Sequence, residues 1–375
     1  MNSDLAHCRE GNVPLKICIV LGTRPEIVKF SPIIRECEKL GLDYFILHTG
    51  QHYSYNMDKV FFEQLELPEA KFNLDVGSGT HGKQTGKMLI GIERVLQAKS
   101  PDVVLVEGDT NTVLAGAVAA VKLGIKVGHV EAGLRSYDRR MPEETNRVLA
   151  DHCSDYLFAP TPKSQEILLH EGIAEEQVFM VGNTIVDAVY QNLEIAKSKT
   201  QILNELGLEE GEFMLATSHR QENVDDKERF AGLIKGLQLV QREFRVPLIY
   251  PIHPRARKQL RLFGIDASGL TLVEPLDYLA FLQLESKAKL VLTDSGGVQE
   301  ETCILGVPCV TLRDNTERPE TLDVGSNMLA GTDPNRILMV TRISLDNKKM
   351  WVNPFGDGDT AQKIINIISD DRTAT

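Results

Sequence analysis

From Lys16 onward the chain alternates short, β-rich apolar runs with amphipathic stretches of helical period. This alternation is the signature of βαβ units around a parallel sheet. A first series comprises KICIVLG (16–22), YFILHTG (44–50), DVVLVEGD (102–109), KVGHVEAG (126–133), YLFAP (156–160) and VFMVGN (178–183). A second comprises FMLATSH (213–219), PLIYPIH (247–253), LTLVEP (270–275), KLVLTDSG (289–296) and PCVTLRD (308–314). The charged, helix-like segment 184–211 separates them and lacks a strand-like run. With 375 residues, the chain also exceeds what one core usually supports. The expected fold class is therefore α/β, with two Rossmann-like doubly wound parallel-sheet domains, 1–183 and 184–355, facing each other across a cleft. A last helix within 356–375 can pack on either of them.

A net charge of −12 argues against a nucleic-acid partner or an acidic membrane surface, so any anionic ligand must be held locally. The six cysteines form no CxxC pair and mostly sit in apolar segments, which points to buried free thiols rather than disulfides or zinc ligands. The first fourteen residues lack the apolar core of a signal peptide, and no run approaches the eighteen or so apolar residues of a membrane span. A soluble, cytoplasmic protein without a metal is expected.

In open α/β sheets ligands bind beyond the carboxyl ends of the strands, so the polar residues there are the candidates. TDSGGVQEE (293–301) leaves a strand, turns on Gly296 and Gly297, and enters a helix whose first N–H groups suit a diphosphate. Glu300 or Glu301 could then accept ribose hydroxyls; the plain alternative is a tight βα turn with an acidic helix start. GTRPE (22–26) places Arg24 at a strand end and Lys29 one helical turn on, either as phosphate ligands or as solvated cations. VGSGTHG (76–82) matches GxGxxG, but KFNLDV before it does not read as a buried parallel strand, and a Gly-rich loop is preferred to a nicotinamide site. Asp109, Glu131 and Glu143 are the candidate acid/base carboxylates. Asp109 could instead be an N-cap, and Glu143 could simply pair with Arg147 at i,i+4. His219 in ATSHRQEN is a candidate phosphate donor or acid, or a satisfied turn histidine.

Taken in order, GTRPE, GQH, EGDTNT, GHVEAGLR, PEETNR, SHRQEN, PIHP, TDSGGVQEE, RDNTERPE and NPFGDG resemble the non-hydrolysing UDP-N-acetylglucosamine 2-epimerases from about Lys16 to near the C-terminus. The resemblance implies a glycosyltransferase-B-like pair of Rossmann domains, a homodimer, UDP held mainly by the second domain, and a C-terminal helix returning to the first. It places Arg24, His219, Ser295 and Gly296 at the diphosphate, Glu301 at the ribose, and Asp109, Glu131 and Glu143 at the sugar. Lys29, Arg147, Gly297 and Arg318 complete the substrate-binding set. Gln51, His52, Arg220 and His253 are candidates for a second, regulatory site. There the chain reads His219-Arg220-Gln221-Glu222 where bacterial members commonly have HRRE.

The C2 hydrogen of such a sugar is not flanked by a carbonyl, and its removal as a simple acid would be prohibitively slow. If UDP departs from C1 as the C2 proton is taken, the product is 2-acetamidoglucal, and UDP can add back with a proton delivered to the opposite face. The scheme needs two acid/base functions and cations for departing UDP, but no cofactor. The expected reaction is thus reversible C2 epimerisation between UDP-N-acetylglucosamine and UDP-N-acetylmannosamine. The alternatives are a retaining UDP-sugar glycosyltransferase, a hydrolysing epimerase, and a non-enzymatic UDP-sugar sensor.

Overall fold

The computed structural model describes residues 15–51, 55–346 and 351–373. Its chain divides into two compact units, one running to Thr184 and resuming at Asp359, the other spanning Ile185–Gly358.

The first unit is built on a seven-stranded sheet: β1 (Lys16–Leu21), β2 (Asp43–His48), β3 (Phe72–Asn73), β4 (Val103–Glu107), β5 (Lys126–Val130), β6 (Tyr156–Ala159) and β7 (Val178–Met180). All pairings are parallel, in the order β3-β2-β1-β4-β5-β6-β7. The order reverses beside β1, the doubly wound arrangement that opens a crevice at the carboxyl ends of β1 and β4. Helices cover both faces, which is why Ile17–Leu21 and Val103–Val106 are uninterrupted apolar runs and fully or almost fully buried. Packing is close enough that a Cβ on Gly116, in the helix Asn111–Lys122, would lie 2.8 Å from Val106 Cγ1. The helix Thr360–Thr373 buries Ala361, Ile364, Ile365 and Ile368 and packs on the helix Arg24–Leu40. Asp371 ties it to the sheet, accepting from Tyr156 Oη at 2.5 Å and pairing with Lys126.

The second unit repeats the plan with β8 (Met214–Thr217), β9 (Leu248–Pro251), β10 (Thr271–Val273), β11 (Leu290–Thr293), β12 (Cys309–Thr311) and β13 (Asn327–Leu329), in the parallel order β10-β9-β8-β11-β12-β13. Alternate residues feed opposite cores, as the two-residue strand period requires. Met214, Leu248, Tyr250, Leu290 and Leu292 join one cluster, while Phe213, Leu215, Ile249 and Val291 join the other. The segment after Ile185 is helical, within Thr184–Lys199 and Ile202–Leu206. Trp351 Nε1 donates to the Cys303 carbonyl at 2.8 Å, holding the late segment against this unit.

Two strands depart from the sequence reading. β3 and β13 are only two and three residues long, sit at sheet edges, and lie in segments not read as strands. Each gains its identity from a neighbouring strand rather than from an apolar run of its own. Cys18, Cys37, Cys303 and Cys309 are buried free thiols and Cys153 is half-buried; Cys8 lies outside the described residues. No helix among the described residues is long and apolar enough to cross a membrane.

Candidate active site

In the first unit the polar residues beyond β1, β4 and β5 form a layered carboxylate cluster. Glu26, in the first turn of Arg24–Leu40, accepts from Gly22 N at 2.6 Å, Thr23 N at 2.9 Å and Thr110 Oγ1 at 2.5 Å, so it staples the β1 turn to the β4 turn. Burial raises its carboxyl to about 7 against these hydrogen bonds. One helical turn later Lys29 reaches inward, its Nζ 2.6 Å from Glu131 Oε1 and 3.3 Å from Glu107 Oε1. Asn183 Nδ2 donates to the same Glu131 oxygen at 2.8 Å. Glu131 adopts φ +65°, a left-handed conformation costly for a side-chain-bearing residue and concentrated at functional sites. Gly133, two residues on, has φ +84°, and a Cβ there would meet the Ser164 carbonyl oxygen at 2.4 Å, so this turn requires glycine.

Asp109 points the other way and pairs with Arg147 at 2.5 Å. It does not cap the following helix: Thr110 does, accepting from Thr112 N. Nor does Arg147 pair with Glu143; it binds Asp109 and, at 2.9 Å, Glu144. Glu144 in turn accepts from Ser136 N, Ser136 Oγ and Tyr137 N, so it fixes the loop before the Pro142–Cys153 helix. Asp109 and Glu143 line one cavity of about 350 Å³ with Gln51, His81, Asn111 and Asn146. Glu131 lies nearby under Gly108, whose added Cβ would be 3.9 Å from Glu131 Oε2. Behind both turns, burial alone would lower the His129 pKa. Asp151 at 2.6 Å and the Gly108 carbonyl at 2.9 Å hold it above its usual value instead, and the ring buttresses the β4 turn through these two contacts.

In the second unit, the fully buried Asp294 after β11 organises the β8 turn. Its carboxylate accepts from Ser218 Oγ at 2.7 Å and from His219 N, Arg220 N and Asn223 Nδ2, each at 3.1 Å. This explains why a strand-end aspartate precedes the glycine turn: it positions SHRQEN. Ser295 is the N-cap of Gly296–Leu305 but makes no side-chain cap bond, and a Cβ added at Gly296 or Gly297 would have 3.9 Å of clearance. The nearest atom at Gly296 is Glu317 Oε2 and at Gly297 is Ser295 Oγ, so the glycine turn leaves room beside the start of this helix. Glu300 pairs with Arg318 at 2.6 Å, which leaves Glu301 as the carboxylate directed elsewhere. Glu301 accepts from Tyr278 Oη at 3.1 Å and contacts the buried Glu285. Burial first, then the Glu301 charge, raise the Glu285 pKa well above the usual carboxylate range.

Lys29 is thus largely enclosed and paired with Glu131 and Glu107 rather than fully solvated. Arg24 is partly exposed, 3.5 Å from Asp58 Oδ1 and stacked over Phe61 at 5.0 Å. His219 and His253 approach each other, with ring centroids 6.2 Å apart, and burial, then His219 and Arg255, lower the His253 pKa. Of the four residues read as a second site, Gln51 lies in the first unit, where its Oε1 accepts from Thr112 N and Oγ1. Arg220 and His253 lie in the second, with Arg220 3.4 Å from Glu317. His52 falls outside the described residues. The sequence reading missed Glu107 and Glu285; a carboxylate ending the otherwise apolar run VVLVE was the available signal for the first.

Doubly wound sheets, a buried carboxylate–lysine cluster and a glycine turn opening a helix define an α/β enzyme of the nucleotide-binding class. The family model for UDP-N-acetylglucosamine 2-epimerase matches residues 35–369. The chain is 54% identical to the UDP-N-acetylglucosamine 2-epimerase of Methanocaldococcus jannaschii, covering 95% of this chain and 99% of that one. It is 53% identical to that of Methanococcus maripaludis, covering 94% and 98%. The crystal structure of the M. jannaschii UDP-GlcNAc 2-epimerase in complex with UDP-GlcNAc and UDP superposes with a TM-score of 0.83 at 54% identity, covering 95% of this chain and all of that one. The chain belongs to the UDP-N-acetylglucosamine 2-epimerase family.

Proposed function

We propose that the enzyme interconverts UDP-N-acetylglucosamine and UDP-N-acetylmannosamine by eliminating UDP to 2-acetamidoglucal and adding it back with inversion at C2. The observation that carries the reading is the carboxylate set at the carboxyl end of the first sheet. Asp109 and Glu143 line one cavity there, and Glu131 is held under the same turn by Lys29 and Asn183. Two of these carboxylates can serve as the acid/base pair, while the arginine and lysine partners keep negative charge stable where it is needed. In the second unit the Ser295-Gly296-Gly297 turn and His219 take the diphosphate, Glu301 takes the ribose, and Arg318 holds Glu300 away from it. Arg24 supplies a further cation to the leaving UDP. The domain roles follow: residues 1–183 with the closing helix handle the sugar, and 184–355 the nucleotide.

The buried free thiols suit a reducing cytoplasm, and the family resemblance supports a homodimer, which sedimentation at twice the chain mass would bear out. Incubation with UDP-N-acetylglucosamine alone should give the manno epimer of the intact nucleotide sugar by NMR. Free N-acetylmannosamine with UDP would instead mark a hydrolysing enzyme, and an unchanged substrate would leave a transferase or a sensor.

A further inference from the structure

Glu107 ends β4 and is 2% exposed. Its carboxyl is hydrogen-bonded to that of Glu131, and Glu26 faces it from the helix Arg24–Leu40. Lys29 brings its ammonium against both carboxyl groups. Two contacting carboxyl groups with one cation, shielded from water, retain a proton between them. The distribution of donors decides where it resides. Glu131 Oε1 receives both the short Lys29 contact, 2.6 Å, and the Asn183 amide, 2.8 Å, whereas Glu107 Oε1 accepts no hydrogen bond among the described residues and has Lys29 at the longer distance of 3.3 Å. The carboxylate therefore belongs to Glu131 and the proton to Glu107. Burial first, opposed by Lys29, and then the charges of Glu131 and Glu26 act in the same direction, holding Glu107 well above the ordinary carboxylate range.

We propose that Glu107 is a positioning residue for epimerisation: as the neutral acid, it donates to Glu131 and holds that carboxylate ionised and aimed together with Lys29. This rests on the assignment of Glu131 to the sugar. In this state the trio of Lys29, Glu131 and Glu107 is neutral. Raising the pH through the elevated Glu107 pKa adds a second negative charge, removes the donor to Glu131 and draws Lys29 away from it. Turnover should therefore fall on the alkaline side through this pair.

The test compares kcat against pH for the wild-type enzyme, Glu107→Gln and Glu107→Leu, with UDP affinity and thermal midpoint measured in parallel. Gln keeps a neutral donor of nearly the same shape, so kcat at pH 7 should stay within about tenfold of wild type while the alkaline limb moves up by about one pH unit or more. Leu offers no donor, and kcat should drop roughly 10²-fold through misplacement of Glu131, with UDP affinity held. An alkaline limb identical in wild type and Glu107→Gln would overturn the proposal, as would a Gln variant as inactive as Glu131→Gln. A Gln variant that fails to fold would overturn it too, because a neutral donor is what the site is said to hold already. Absence of the manno epimer with wild type would instead sink the epimerase reading first, and the positioning role with it.

Discussion

Asp109→Asn and Glu131→Gln should each lower turnover by roughly 10²–10⁴-fold, the usual range for removing an acid/base group. In barrier terms this is about 2.7–5.5 kcal/mol. Both substitutions preserve shape, and the surroundings are built to absorb them. Arg147 keeps Glu144 when Asp109 loses its charge, and when Glu131 does, Glu107 is freed from the neighbouring charge that helps hold its proton and can ionise beside Lys29. Folding should therefore survive, and the loss should appear in kcat while UDP still binds, because the proposed nucleotide contacts lie mainly in the second unit and Asp109 and Glu131 are not among them. Steady-state kinetics with calorimetry of UDP binding separates the two effects. Normal turnover in both variants would show that the carboxylates are misassigned within a correctly placed family.

Glu301→Ala should weaken UDP itself, by on the order of 1.5–3 kcal/mol for a charge-assisted ribose contact. That corresponds to roughly 10–150-fold in Kd. Glu301 accepts from Tyr278 Oη and touches the buried Glu285, whose raised pKa reflects burial first and then that neighbour. Glu301→Ala leaves both groups without this acceptor, so the thermal midpoint is measured alongside and weakened binding counts only where the variant is folded at the assay temperature. Glu143→Gln, in the cavity of the first unit, should leave UDP affinity nearly unchanged. Calorimetry returning the opposite ranking would remove Glu301 from the ribose.

The doubly wound sheets were legible because their central strands are buried on both faces and read as apolar runs between helical periods. β3 and β13 were not, since a two- or three-residue edge strand has too little sequence to carry a period. The same boundary applies to the site. Asp109, Glu131 and Ser295-Gly296-Gly297 follow strands, where the chain must place polar groups at the sheet's carboxyl edge. Glu107 was hidden as the last letter of such a strand, one step before the turn that drew attention. Glu285 lies within the helix Tyr278–Lys287, where LESK reads as a solvated face, and only tertiary packing reveals that it is fully buried beside Glu301. Asp294 was visible as a strand end, but its service to the SHRQEN turn depends on β8 lying next to β11, a register that chain order alone does not specify.

Elimination and readdition pass the C2 hydrogen through protein groups that exchange with water, whereas oxidation to a keto sugar by a bound nicotinamide would return the original hydride. The most direct test is therefore to run the reaction on UDP-N-acetylglucosamine in deuterium oxide and read C2 of the product by NMR. The account predicts a manno product carrying deuterium at C2, at a rate unaffected by added NAD. A manno product that retains protium at C2 would contradict it.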